Sequence, residues 1–450
     1  DRLVRVGLEV ETVHEVGADI SGPLLIGRVV AFDDETHSNG KTIRWCRVDV
    51  GEPEPRGIVC GAHNFAAGDL VAVSIPPSPA WLELVTETWA AGAAVLPVDH
   101  RLPPAEAGAL LERARPTVVL DAGGSHRVDG RPTEPDIALV VHTSGTEGSP
   151  KLAQFHRRAI DAAVASSALA LEASDEDRWL CCLPLSHVGG LLVLLRSILL
   201  GAPVAVHARF DPEAVMAEHG VQFTSVVPTM LGRLVETGAD LSSFRAILVG
   251  GAHLSPDLRT RAERAGANVV ETYGLTETCG GVVSEGVALP GAERRIDAEG
   301  GIQLRGPTLM QGYRFDGAGS AAAFTDGGWL RPGDAGEIDR DGRLHVVGRI
   351  DDLINTGGER VWPDQVEAAL RDHPGVRDVA AGGRLDREWG QHVAVWVVPA
   401  DPADPPSLEE LRAFAARTLP RYAAPRELTL ADRLPRTLSG KLRRAALPRD

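Results

Sequence analysis

Of the 46 lysines and arginines in the chain only three are lysines, Lys41, Lys151 and Lys441. Arginine is the default cation here, so each lysine raises the question of what refused a guanidinium. Lys151 closes the run Thr143-Ser144-Gly145-Thr146-Glu147-Gly148-Ser149-Pro150-Lys151, and Lys441 follows Ser439-Gly440. Both settings suit a compact ammonium on a phosphate, because three rotatable donors on a slim stem fit where a broad planar fork needs a different pocket. Chance survival of a surface lysine is the alternative, and Lys41, in a Ser-Asn-Gly-Lys turn, shows that lysine can be incidental.

The Thr143 to Lys151 loop follows a strand over Ile137 to Val141 and precedes an alanine-rich helical stretch from Arg157. Its backbone amides, hydroxyls and Lys151 can wrap a polyphosphate. It is not a Walker A loop: Gly145 and Gly148 stand too close together, and Leu152 occupies the place of the magnesium-binding Ser or Thr. A second string, Tyr273-Gly274-Leu275-Thr276-Glu277-Thr278, follows a strand over Asn268 to Glu271. It offers an aromatic face, a hydroxyl and a carboxylate, suited to adenine, phosphate and Mg²⁺ respectively. An ordinary strand-to-turn passage would read the same way. Arg196 is a lone charge in the apolar run Leu191 to Leu200. A buried arginine needs an anion, either a second carboxylate on a substrate or a protein carboxylate. His187 either shapes an acyl pocket or is a satisfied core histidine.

The elements that must position these residues fall into three regions. From Leu24 to Val73 short β-type runs alternate with turns (25–30, 42–50 and 57–60), as in a small all-β barrel. After Gly68-Asp69-Leu70-Val71-Ala72-Val73 strands and helices alternate, with further strands over Thr224 to Val227 and Ala246 to Val249. That pattern predicts a largely parallel sheet covered by helices, with ligands at the carboxyl ends of the strands. Past Gly348-Arg349-Ile350-Asp351-Asp352, short α and β segments and a basic tail predict a second, smaller domain.

A length of 450 residues predicts two to four domains, and 44% hydrophobic residues suffice for large cores. The net charge of −16 argues against a broad nucleic-acid footprint or an anionic membrane surface. Five cysteines without CxxC spacing indicate neither a disulfide framework nor a zinc cage, and a reducing cytoplasm fits best. The start of the chain does not read as a signal peptide. The longest apolar stretch, Val188 to Val206, is broken by Arg196 and Pro203 and reads as a buried helix and strand rather than a membrane span.

Together with Gly333-Asp334, Gly348-Arg349, Gly357-Gly358-Glu359 and Leu438-Ser439-Gly440-Lys441, these strings resemble, in order and spacing over residues 69 to 445, the adenylate-forming superfamily of acyl-CoA synthetases, adenylation domains and luciferases. The resemblance implies an ATP-, Mg²⁺- and CoA-dependent acid–thiol ligase. Thr143, Ser144, Gly145, Thr146, Gly148 and Lys151 would hold the β- and γ-phosphates, and Gly250, Gly251, Ala252, Tyr273 and Gly274 the adenine. Asp334 and Arg349 would bind the ribose, Glu277 the Mg²⁺ and Thr276 the α-phosphate, with His187 and Arg196 at the acyl group. Lys441 would stabilise charge on the α-phosphate, and a swing about Asp351 would bring the Gly357-Gly358-Glu359 loop to the site for thiol attack. Glu147 and Leu152 depart from the family pattern, which has threonine and glycine there. Leu183-Pro184-Leu185-Ser186-His187-Val188-Gly189-Gly190, Arg196-Ser197 and Gly280-Gly281-Val282-Val283 are most similar to o-succinylbenzoate–CoA ligases of menaquinone synthesis. A broader acyl- or aryl-acid–CoA ligase, a carrier-protein-loading adenylation domain and a tRNA-binding synthetase fragment are the alternatives; the chain stops nine residues after Lys441, without a carrier domain.

Residues 1 to 75 resemble the OB-like tRNA-binding module of the phenylalanyl-tRNA synthetase β subunit, yet hold seven basic against twelve acidic residues, so a structural or vestigial module is favoured over RNA binding. The expected organisation is thus an OB-like module over 1–72, a large α/β AMP-binding domain over 73–349 and a mobile α+β C-terminal domain over 350–450. If the module replaces the usual opening of the large domain, an unpaired strand edge or exposed apolar surface is expected near Leu70 to Val73, with reduced stability or a homodimer as the consequence.

Overall fold

A computed structural model of the chain describes residues 65–143, 150–436 and 442–448 in full, and the backbone of the strands Arg28–Thr36, Thr42–Asp49 and Arg56–Cys60. These three strands pair antiparallel in sequence order as a sheet of their own. Barrel closure and the tRNA-type strings around them lie outside the described residues.

The large unit is built on two seven-stranded sheets. In the first, Ile137–His142, Ala94–Pro97, Leu70–Val73 and Val118–Asp121 run parallel, flanked by antiparallel Leu152–His156 and Gly312–Tyr313 on one side and Gly124–Arg127 on the other. The second runs Val204–Val206, Trp179–Cys181, Phe223–Val226, Ala246–Val249 and Val269–Leu275 in parallel, then turns back through Gly280–Ser284 and Val287–Ala288. The helices Arg157–Leu171 and Val188–Leu200 share one core with both sheets. The second is apolar nearly all round, as a helix packed on more than one side must be, and it ends at Gly201 in the left-handed conformation. The apolar run Val188 to Val206 is thus a buried helix and following strand. Among the described residues no helix is long and apolar enough to cross a membrane.

The strand Leu70–Val73 overturns two expectations. A boundary between residues 72 and 73 would cut it, so the large unit begins before residue 70. It is also no edge: Ala94–Pro97 and Val118–Asp121 pair with it on either side, and all four of its residues are 0% exposed. Its polar end is closed too, by an ion pair of Asp69 with Arg127 at 2.9 Å and a hydrogen bond from Thr117. Leu70–Val73 therefore offers no open edge through which a second copy could pair.

The hairpin Asp334–Ile338 with Leu344–Arg349 leads out of the large unit, and a single 3₁₀ turn, Ile350–Asp352, leads into the small one. There Gly390–Pro399 pairs with Val376–Asp386, Ile354–Thr356 and Glu427–Leu430, and Glu359–Val361 forms a hairpin with Ile354–Thr356. The helices Pro363–Arg371 and Leu408–Ala415 join this sheet in a separate hydrophobic core.

Candidate active site

The carboxyl ends of the parallel strands of the second sheet open on a cavity of about 470 Å³. Val226, Gly250, Gly251, Thr272 and the turn Gly274–Thr276 line it from the strand ends, and Ser186, His187, Gly189, Leu192 and Arg196 from the start and face of the helix Val188–Leu200. The turn is tight: a Cβ on Gly274 would lie 2.0 Å from the carbonyl oxygen of Gly280 across the hairpin, so only glycine allows the two strands to approach. Ala252 follows directly and is exposed.

Three residues far apart in sequence meet beside this turn. Antiparallel pairing sets Asp334 opposite Arg349, and the Arg349 guanidinium donates to Asp334 Oδ1 at 3.2 Å. Tyr273 donates its hydroxyl to Asp334 Oδ2 at 2.7 Å. Burial, reinforced by the Asp334 charge, pushes the Tyr273 hydroxyl well above its ordinary pKa, so it stays a donor. Asp334 thus accepts on both of its oxygens, from Arg349 on one and Tyr273 on the other. Arg349 also reaches Asp351 at 3.7 Å, linking this carboxylate to the turn between the two units.

Glu277 lies in the 3₁₀ turn Thr276–Thr278, and Tyr313 donates its hydroxyl to Glu277 Oε1 at 2.8 Å. Lys151 Nζ sits 4.9 Å from the centre of the same tyrosine ring. The loop lysine and the candidate metal carboxylate therefore meet on one side chain that the motif reading did not single out. A signal existed: the chain has only three tyrosines, and two of them hold the carboxylates of this site. Thr143 is anchored to Lys151 by its backbone N–H on the Lys151 carbonyl at 2.8 Å. Leu152 is a buried strand residue packed in the core. Ser144, Gly145, Thr146, Gly148 and Lys441 lie outside the described residues.

Arg196 is 3% exposed. Its Nε donates to Ser167 Oγ at 3.2 Å and its guanidinium lies 4.5 Å from the Trp179 ring. Among the described residues no carboxylate pairs with it, so the structural ion pair is not the explanation. Burial pulls its pKa down to about 10. The cavity wall also holds Ser186, whose buried hydroxyl has no hydrogen-bond partner among the described residues. His187 precedes the helix, its ring 6.0 Å from that of His142; burial lowers the His142 pKa, keeping that ring neutral. Gly357, Gly358 and Glu359 form the hairpin turn of the small unit and are absent from the cavity lining.

The cavity-lining turn Gly274–Thr276 lies between Tyr273, which donates to the arginine-paired Asp334, and Glu277, which shares Tyr313 with the loop lysine, an arrangement that defines a nucleotide-binding α/β enzyme of two units. The AMP-binding enzyme model matches residues 121–314, and the AMP-binding enzyme C-terminal domain residues 365–441. A Mycobacterium tuberculosis protein named "Probable 2-succinylbenzoate--CoA ligase" is 42% identical over 72% of this chain and 87% of its own length. The 2-succinylbenzoate–CoA ligase of Bacillus licheniformis is 37% identical over 69% of this chain and 70% of its own length. Among solved structures, the o-succinylbenzoate CoA synthetase of Bacillus subtilis with the acyl-adenylate OSB-AMP superposes with a TM-score of 0.78 at 29% identity, covering 86% of this chain and 89% of that one. The same enzyme with ATP and magnesium gives 0.77 at 30% identity, covering 86% and 90%. The chain belongs to the AMP-binding enzyme family, among its AMP-forming acid–CoA ligases.

Proposed function

We propose that the chain converts 2-succinylbenzoate into its CoA thioester. The supporting observation is Arg196, a buried guanidinium on the cavity wall with no carboxylate partner among the described residues. A second carboxylate on the acid would neutralise it in a dry pocket, where such a pair is specific for its geometry. The relatives described above, whose names specify this acid, support the same reading.

In the first step the reacting carboxylate attacks the α-phosphorus of ATP. The bond to pyrophosphate breaks, its electron pair leaves on pyrophosphate, and an acyl-adenylate forms. Thr143, Ser144, Gly145, Thr146, Gly148 and Lys151 take the β- and γ-phosphates, and Gly250, Gly251, Ala252, Tyr273 and Gly274 border the adenine. Asp334 and Arg349 receive the ribose hydroxyls, Thr276 contacts the α-phosphate, and Lys441 donates to the charge that develops there. Glu277 fits Mg²⁺: it is a hard oxygen donor with no cationic side chain in ion-pair contact among the described residues, held by one neutral hydroxyl. When bound, Mg²⁺ supplies positive charge against the phosphates. In the second step the small unit turns about Asp351 and brings the Gly357-Gly358-Glu359 loop to the site. The CoA thiol, losing its proton, attacks the acyl carbonyl and AMP leaves. Pyrophosphate release over a panel of carboxylic acids, with and without CoA, tests this. The expected result is the highest kcat/KM for 2-succinylbenzoate, and preference for a monocarboxylic aryl acid would overturn the substrate.

A further inference from the structure

The turn at Gly357-Gly358 does not stand alone. Beside it lies the tip of the long hairpin Val376–Asp386 with Gly390–Pro399, and the two are joined where Thr356 pairs with Gly390. Gly357 donates its N–H to the carbonyl of Trp389 at 2.8 Å. The Trp389 ring lies against the same residue: a Cβ on Gly357 would lie 2.4 Å from Cε3 and 2.7 Å from Cζ3. Asn355, two residues earlier, donates its N–H to the Gln391 side chain at 2.9 Å. The tip that carries the tryptophan is itself fixed, since Asp386 Oδ1 accepts from the N–H groups of Glu388 and Trp389, both at 2.9 Å. The Arg426 guanidinium lies 4.5 Å from the indole.

A turn with two successive glycines at positive φ, +62° and +87°, has more backbone freedom than any other dipeptide, and a loop that must meet a substrate needs that freedom removed. Trp389 removes it through one hydrogen bond and one ring contact. The indole is 38% exposed and absent from the small unit's hydrophobic core, so its position is not explained by core packing.

We propose that Trp389 is a positioning residue for thioester formation, holding the Gly357-Gly358-Glu359 loop in the conformation that receives the thiol. This rests on the role given above to that loop. It assigns Trp389 no part in adenylate formation.

The test measures the two half-reactions separately in the full chain, with Mg²⁺, ATP, 2-succinylbenzoate and CoA. Pyrophosphate release without CoA reports the first, and single-turnover consumption of preformed acyl-adenylate by CoA the second. Trp389→Ala should slow the second on the order of tenfold or more, in the maximal rate rather than in the KM for CoA, with the first unchanged. Trp389→Phe, which keeps an aromatic face and the backbone carbonyl, should recover most of the loss. An intact first half-reaction, which needs the small unit's Lys441, shows that this unit is folded. Equal slowing of both half-reactions, or of neither, overturns the proposal. Gly357→Val separates the two levels of the argument. If it leaves thiolysis untouched, the loop reading falls and the proposal with it; if it slows thiolysis while Trp389→Ala does not, only the role of Trp389 falls.

Discussion

Replacing Arg196 by leucine should separate binding from stability in opposite directions. Burial pulls the guanidinium well below its ordinary pKa, to about 10, partly offset by Cys279, and among the described residues the Ser167 hydroxyl and the Trp179 ring lie against it. That difference corresponds to about 3 kcal/mol. Because the folded pKa of this cation lies below the unfolded one, the folded state disfavours the charged form. At neutral pH, far below 10, the arginine is charged in both states and the penalty is fully present; it is relieved only as pH rises through about 10 towards the ordinary arginine pKa. A ligand carboxylate that recovers roughly this amount is worth on the order of a hundredfold in affinity. Arg196→Leu should therefore raise the KM for 2-succinylbenzoate about a hundredfold, while a monocarboxylic aryl acid changes by about threefold or less. The apparent melting temperature of the free variant should be unchanged or higher, since an apolar side chain replaces an unpaired buried charge. Steady-state kinetics on the two acids and a thermal melt check both parts. A uniform kinetic loss across the acids, with a lowered melting temperature, would refute the reasoning and return Arg196 to a structural role.

Three further outcomes are expected. Lys441→Ala should cut adenylate formation on the order of a hundredfold or more, as loss of one transition-state donor does, and leave thiolysis of supplied acyl-adenylate largely intact; equal loss in both half-reactions would remove its assigned role. Tyr313→Phe keeps the ring under Lys151 but frees Glu277, so calorimetric ATP binding should need several-fold more Mg²⁺ (about 1 kcal/mol for the lost hydrogen bond), whereas an unchanged Mg²⁺ dependence would show that Glu277 is held by other means. Burial pushes the Glu367 carboxyl up to about 7, against the attraction of Arg444. The folded chain thus keeps a proton that the unfolded chain gives up near 4.5, and stability falls as pH rises from there to about 7; in melts across this range the advantage of Glu367→Gln over the parent should grow with pH, and a constant difference would contradict it.

Lys151 and the Tyr273–Thr278 string were legible in sequence because each adjoins a strand, where local order sets its neighbours, whereas Asp334 and Arg349 were named through the family resemblance and meet across a hairpin. The rarity of lysine was informative for the same reason: a residue type kept at three places reports a local chemical demand. The apolar run holding Arg196 was equally plain as a buried helix. What occupied the space around that arginine was not, since its neighbours Ser167 and Trp179 come from another helix and a strand.

The sequence by itself determined the alternation of elements and the ordered motifs, because periodicity and turn chemistry are short-range properties, and the family resemblance those motifs carry implied the enzyme class. Only the tertiary structure decided that Leu70–Val73 is an inner strand rather than an exposed edge, because a buried apolar run reads alike in both and pairing depends on strands that follow it. It likewise decided that Tyr313 joins Lys151 to Glu277 and that Trp389 seats Gly357. Those contacts close over about 30 residues or more, in directions set by sheet packing, and no local pattern encodes them.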